Sequence, residues 1–173
     1  MATANQAVTH SLSQSAAQLA RVPSVPRRRV VQPVSHKRAA VVLRRGMRPL
    51  EFRQVEEQME LLGLVSLPVL PGQRKMHVTS TPVCGLIVTG SAFEASLIER
   101  AMIEEAVRHA HSVGAPILAL SDAAPLVLDA LDMKLAEAAP GVGLLVHTEV
   151  QVIATSAHIG RALKVMAKSP EVS

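Results

Sequence analysis

Aromatic residues are almost missing from this chain of 173 residues, which has no Trp, no Tyr and only two Phe. Proteins hold single-stranded nucleic acids largely by stacking bases on aromatic side chains, so that mode of binding is nearly excluded. Hydrophobic residues still make up 49% of the chain, and the core that they predict is therefore aliphatic.

Cysteine is equally scarce. The single Cys84 excludes an internal disulfide and makes a reducing, cytoplasmic compartment the expected setting. Because Cys84 lies inside an apolar run, we expect a buried and unreactive thiol. The longest apolar runs are far shorter than a bilayer requires, so no transmembrane span is expected.

Acidic residues are missing from the first 50 positions, which carry nine of the 18 Lys and Arg residues; the first acid is Glu51. Residues 51–173 carry the other nine basic residues and all 14 acids. Residues 1–35, which contain three prolines, are expected to form a disordered basic arm. Residues 36–170 are expected to form one domain of ordinary size.

The basic arm allows several interpretations. The plainest is a solvated tail. An acid-free start containing Arg and Ser is also typical of organelle transit peptides, which would change the compartment. A third interpretation is a docking arm on a larger assembly, and a fourth is salt-dependent contact with an anionic partner such as nucleic acid. The residues expected to make that contact are Arg27, Arg28, Arg29, Lys37 and Arg38.

Short apolar runs alternate with stretches of helical periodicity from Arg38 onward. This alternation predicts an α/β fold with three layers, in which helices cover both faces of a mostly parallel, flavodoxin-like sheet. Strands are expected at 38–43, 64–70, 83–89, 116–120 and 141–146, and helices at 52–62, 91–113, 124–131 and 155–168. Residues 150–154 are ambiguous, because their β-branched side chains could extend a strand.

The second predicted helix has the clearest signals. Ser91-Ala-Phe-Glu94 fits a capping box, which would begin the helix there, and Gly114 would end it. A stripe of apolar residues is expected to face the core: Leu97, Ile98, Ala101, Met102, Ala106 and Ala110.

The segment Gly114-Ala-Pro-Ile-Leu-Ala-Leu-Ser-Asp-Ala123 predicts a strand that runs directly into a turn of small residues and then a helix. Such a turn exposes its first residue, here Ser121, near the N–H groups of the helix. Together with Ala39–Gly46 and Cys84–Gly90, this segment resembles the class I glutamine amidotransferase-like superfamily, including its PfpI-type branch. In that superfamily a nucleophilic cysteine occupies the turn.

Three segments resemble the C-terminal accessory domain of large-subunit bacterial catalases more specifically. They are Glu105–His109, Pro116–Ala123 and Pro140–Gly143, within a likeness that covers about residues 37–168. The resemblance implies a cysteine-free turn and a role without catalysis. Catalase activity itself is not implied, because the chain has no haem-binding catalase core.

The residues at the turn decide whether catalysis is expected. Ser121 stands where the cysteine would be, and a serine needs an adjacent base. An active protein would use Ser121, His147 and Asp122, yet Asp122 is better explained as a helix N-cap. The PfpI branch places an acid in the first-strand loop, whereas this chain has Arg44, Arg45 and Arg48 there. No phosphate-loop spacing or metal-ligand set is present, so no cofactor or metal is expected.

Three functions follow as expectations. The first is a non-catalytic domain that acts in protein interaction, as a homo-oligomer (a dimer) or by stabilising an assembly. The second is a weak hydrolase or amidase that uses Ser121 with His147. The third is contact with an anionic partner through the basic arm.

Overall fold

The computed structural model describes residues 36–70, 81–134, 143–153 and 156–172. The basic arm lies outside these residues, including Arg27, Arg28 and Arg29. Six strands and four helices occur in the described part. They are β1 (Lys37–Val42), α1 (Pro49–Leu61), β2 (Leu64–Val69), β3 (Leu86–Val88), α2 (Leu97–Ser112), β4 (Ile117–Ala119), α3 (Ala124–Ala130), β5 (Gly143–Val146), β6 (Val150–Ile153) and α4 (Ser156–Lys168).

All six strands belong to one sheet, in the order β2-β1-β3-β4-β5-β6. The first four strands are parallel, whereas β5 pairs antiparallel with β4 and β6 pairs antiparallel with β5. The predicted α/β class and mostly parallel sheet are therefore confirmed. The ambiguous stretch after Val146 is the second strand of a hairpin.

Alternate residues of each strand divide between two hydrophobic clusters, since successive side chains of a strand point to opposite faces. Ala40 and Val42 of β1 belong to a cluster with buried residues of α2 and α3. Ala39 and Val41 belong to the other cluster, with buried residues of α1 and α4. Strands buried in this way on both faces need continuous apolar sequences, which is what the chain supplies.

The start of α2 differs from the prediction. The helix begins at Leu97 and its N-cap is Ser96, whose hydroxyl accepts a hydrogen bond of 3.3 Å from the Glu99 N–H. The prediction of a capping box at Ser91–Glu94 is therefore wrong. Ser91 instead accepts a bond of 2.9 Å from the N–H of Phe93, which stabilises the loop before the helix.

The inward face of α2 also differs from the prediction. Leu97 is 85% exposed and Ile98 is 70% exposed, although both were expected in the core. Ala101 is exposed as well, whereas Ala106 and Ala110 of the expected stripe are buried. The buried face of the helix is completed by Glu99, Ile103 and Val107. The prediction failed because it began the helical stripe at the first apolar residues of the segment.

No helix in the described part of the chain is long and apolar enough to cross a membrane.

Candidate functional site

The carboxyl ends of β1, β3 and β4 meet at one edge of the sheet, because these strands are neighbours and parallel. The segment after β1 contributes Arg44, the segment after β3 contributes Ser91, and the turn after β4 contributes Ser121. The first turn of α1 adds Glu51. Open α/β sheets bind ligands at this edge, so these residues form the candidate site.

Ser121 occupies a strained position. Its φ of +44° lies in the left-handed region, which costs a residue other than glycine roughly 1–3 kcal/mol. The strand before it is held in place by a bond of 2.9 Å from the N–H of Leu120 to the carbonyl of Val88. The hydroxyl of Ser121 donates a hydrogen bond to Oε1 of Glu51. The turn therefore presents an oxygen whose direction is fixed by a carboxylate.

Gly90 makes this arrangement possible. A Cβ at Gly90 would lie 2.6 Å from Oε2 of Glu51 and 3.0 Å from Oδ1 of Asp122. A side chain at this position would displace both carboxylates, so the glycine at the end of β3 is a steric requirement of the site.

Asp122 does not cap a helix. A short 3₁₀ turn spans Ser121–Ala123, and neither it nor α3 has a side-chain N-cap bond. The carboxylate of Asp122 instead accepts bonds of 3.0 Å from the Ser91 N–H and from Nη1 of Arg44. The predicted capping role is therefore wrong, because Asp122 points across the sheet edge toward the segments that follow β1 and β3.

Arg44 links the parts of this site. Its side chain is almost fully buried and pairs with Asp122 at 3.0 Å and Glu99 at 3.4 Å. Nη2 also donates a bond of 3.0 Å to the carbonyl of Phe93. A buried charge is tolerated only when it is paired and hydrogen-bonded, and Arg44 meets both conditions. Arg48 is more exposed and lies 3.8 Å from Asp122.

His147 lies at the opposite edge of the sheet. It is exposed in the turn between β5 and β6, where its N–H donates a bond of 3.1 Å to the carbonyl of Glu149. The preceding Val146 pairs with Ile117, the first residue of β4. Ser121 follows the other end of β4, about 16 Å away along the strand. The expected pairing of Ser121 with His147 is therefore contradicted, since it assumed that β5 runs parallel to β4.

Glu51 is the functional residue that the sequence interpretation missed. The acid that the PfpI branch carries was expected in the loop after β1, where the charged residues are all arginines. Glu51 lies about one helical turn after that loop, in α1. Two signals could have found it. Pro49 is typical of the first helical position, and Glu51 is the first acid of the chain.

A cavity of about 520 Å³ opens beside Ser121. Glu51, Arg48 and Gln54 contribute polar atoms to its walls, and Met47 and Leu50 contribute apolar surface. Its size falls in the usual range for small-molecule sites.

The other candidate groups lie apart from this edge. Cys84 is fully buried, and desolvation raises the pKa of its thiol to about 11, which agrees with the expected unreactive cysteine. No three metal-binding side chains converge among the described residues.

Lys37 and Arg38, two of the residues expected to contact an anionic partner, lie in β1. The ammonium of Lys37 donates to the carbonyls of Ala167 and Ser169 at 2.9 and 2.8 Å, at the end of α4. The N–H of Arg38 donates a bond of 2.9 Å to Glu171. Lys37 therefore stabilises the C-terminal end of a helix, a favourable place for a cation.

The chemistry open to this site is limited by its donors and acceptors. The hydroxyl of Ser121 is hydrogen-bonded to the carboxylate of Glu51, and the side chains of Arg44 and Arg48 are both directed at Asp122.

No family model and no curated protein matches the sequence of this chain.

Proposed function

We propose that this chain is a non-catalytic, amidotransferase-like domain that acts through protein interaction. The observation that carries the proposal is the separation of Ser121 from His147 by the length of β4. A serine hydroxyl becomes a nucleophile when an adjacent base takes its proton, and imidazole is the usual base. The imidazole expected to serve as that base, His147, lies at the opposite edge of the sheet.

The charges around Ser121 support the same proposal. Arg44 and Asp122 are engaged in bonds that join the loops to one another, so they stabilise the edge of the sheet. An oxyanion site needs donors aimed at open space where negative charge develops. Here the N–H of Ser91 is already bonded to the Asp122 carboxylate at 3.0 Å.

The proposal that the domain is amidotransferase-like rests on the turn at Ser121 and on the arrangement of the core. A left-handed residue in the turn after β4 and a carboxylate bonded to it are features that a former nucleophile position would retain. The two hydrophobic clusters support a three-layer, flavodoxin-like arrangement, in which α1 and α4 cover one face and α2 and α3 the other. A cytoplasmic location is consistent with the single cysteine.

One observation favours a second candidate function. The bond from Ser121 to Glu51 gives the hydroxyl a carboxylate that could accept its proton. A weak hydrolase could then use Ser121 with Glu51 instead of His147.

The two proposals predict different results in an activity assay. Esterase and amidase turnover would be measured with activated ester and anilide substrates for the wild type, Ser121→Ala and Glu51→Gln. We expect no turnover above the buffer rate for any of the three. Turnover that is lost in both variants would contradict the non-catalytic proposal and support the hydrolase. Circular dichroism of each variant is the control for folding.

A further inference from the structure

We propose that two copies of this chain associate through an apolar patch beside the Ser121 edge, defined by Leu50, Phe93, Leu97 and Ile98. This inference rests on the proposed interaction function and adds to it a surface and a partner. The four side chains are 74%, 61%, 85% and 70% exposed, respectively. An isolated exposed leucine is ordinary, but a group of large apolar side chains marks a contact surface.

The four residues lie on neighbouring segments. The ring of Phe93 occupies the space where a side chain at Gly46 would stand, so it packs on the loop after β1. Gly46, Leu50 and Ala92 line the same cavity, which joins the start of α1 to the segment that precedes α2. Leu97 and Ile98 form the first turn of α2, four and five residues after Phe93.

The core of the domain does not explain these residues. The inward face of α2 is complete without Leu97 and Ile98, because its buried stripe begins at Glu99 and continues through Ile103 and Val107. A solvated first turn would be expected to carry polar side chains, since apolar side chains gain nothing there. The sequence therefore supplies large apolar residues at positions that the described core of the domain leaves exposed.

Charged residues beside the patch indicate that the partner is a second copy. Arg45 precedes Gly46 and Glu94 follows Phe93, and both are exposed. In a two-fold symmetric interface, each contact between two different residues occurs twice. Arg45 of one copy can therefore face Glu94 of the other copy, and the reverse. A surface that carries both positive and negative charge around an apolar centre can be complementary to a second copy of itself.

The area of the patch matches the apolar share of the surface that a dimer buries on each partner. Its four side chains expose roughly 500 Å² of apolar surface, if a large side chain presents on the order of 170 Å² when fully exposed. Specific interfaces bury about 800 Å² on each partner, with an apolar centre and a polar rim. The cavity walls and the two charged residues can supply the remaining rim.

The test is a measurement of mass in solution. Sedimentation equilibrium of the full chain is expected to give a dimer at about 100 µM protein, with a dissociation constant in the micromolar range. Leu97→Glu should raise that constant at least tenfold, because it buries a charge at the most exposed of the four patch residues. A wild type that stays monomeric at this concentration overturns the dimer, whereas the proposed absence of catalysis would still be judged by turnover.

Leu61→Glu is the matched control. Leu61 is 77% exposed, but it lies at the far end of α1 from Leu50. We expect the dissociation constant of the Leu61→Glu dimer to stay within twofold of the wild-type value. Equal weakening by Leu61→Glu and Leu97→Glu would overturn the patch as the interface. Thermal unfolding of both variants shows whether either has lost its fold.

A charge exchange tests the two-fold arrangement. Arg45→Glu alone should weaken the dimer, because it places two acidic groups in contact across the axis. Adding Glu94→Arg to the same chain should recover at least half of the lost affinity on a logarithmic scale. A double variant that is as weak as Arg45→Glu contradicts the proposed pairing.

Discussion

At the scale of single residues, Arg44 joins the separate segments of the candidate site. It is 4% exposed and bonds to three segments, through Glu99, Asp122 and the carbonyl of Phe93. Its partner Glu99 is itself only 5% exposed. Removing one member of a buried pair leaves the other charge without compensation, which costs more than the pair itself contributes.

We therefore predict that Arg44→Ala destabilises the domain by about 3 kcal/mol or more. Urea unfolding followed by circular dichroism would measure the change in free energy. Arg53→Ala, at an exposed arginine of α1, should change stability by less than about 0.5 kcal/mol. Combining Arg44→Met with Glu99→Gln should recover part of the loss, because no unpaired charge remains at Glu99. Equal losses in Arg44→Ala and Arg53→Ala would contradict this role.

The sequence identified Ser121 correctly as the residue at the strand-to-helix turn but did not identify its partner. The turn is a local feature, visible as a strand followed by small residues. The contact with Glu51 joins positions 70 residues apart and depends on how the first turn of α1 is placed beside the turn after β4. Asp122 was misassigned for the same reason, because a carboxylate at a helix start has a local explanation and its actual partners are distant in sequence.

At the scale of elements, the β4–β5 contact shows how closely the strands approach. A Cβ at Gly143 would lie 2.5 Å from the carbonyl oxygen of Ala119 and 3.4 Å from Cβ of Ile153. The carbonyl belongs to the backbone and cannot move without moving β4. Gly143 therefore permits the antiparallel addition of β5 to a parallel sheet.

We predict that Gly143→Ala destabilises the domain by about 2 kcal/mol, the usual cost of forcing an extra carbon into a packed region. Gly160→Ala is the matched control, since it adds the same methyl group within α4. A Cβ there would meet only the end of the Gln58 side chain, at 3.2 Å. Because alanine favours a helix over glycine by about 1 kcal/mol, this variant should be neutral or more stable. Urea unfolding measures both, and a neutral Gly143→Ala would contradict the close approach.

The sequence located most elements but not the direction of β5. Apolar runs and helical spacing marked each strand and helix, because burial on both faces leaves a strong pattern. The direction in which a strand runs leaves a weaker pattern in the sequence. Three residues separate Val146 from Val150, and a parallel pair needs a crossover of a dozen or more residues. That short link could have indicated a hairpin, whereas the antiparallel pairing of β5 with β4 has no comparable local signal.

At the scale of the whole molecule, the change from parallel to antiparallel strands determines which residues lie at each of the two edges where the strands end. The carboxyl ends of β1, β3 and β4 carry Ser121 and its charged neighbours, together with the apolar patch. The turn after β5 points to the other edge and carries His147. Ser121 and His147, which a parallel β5 would have brought together, are therefore separated by the length of β4.

This separation predicts that His147 does not sense the chemistry at Ser121. In NMR spectra of Ser121→Ala, the ring resonances of His147 at a fixed pH should match those of the wild type, because the two residues lie about 16 Å apart along β4. The amide of Ser91 should shift in the same spectra, since it bonds to Asp122 beside the altered hydroxyl. That second change is the internal control. A shift of the His147 ring resonances in this variant would contradict the separation of His147 from Ser121 and would favour the imidazole as a base for Ser121.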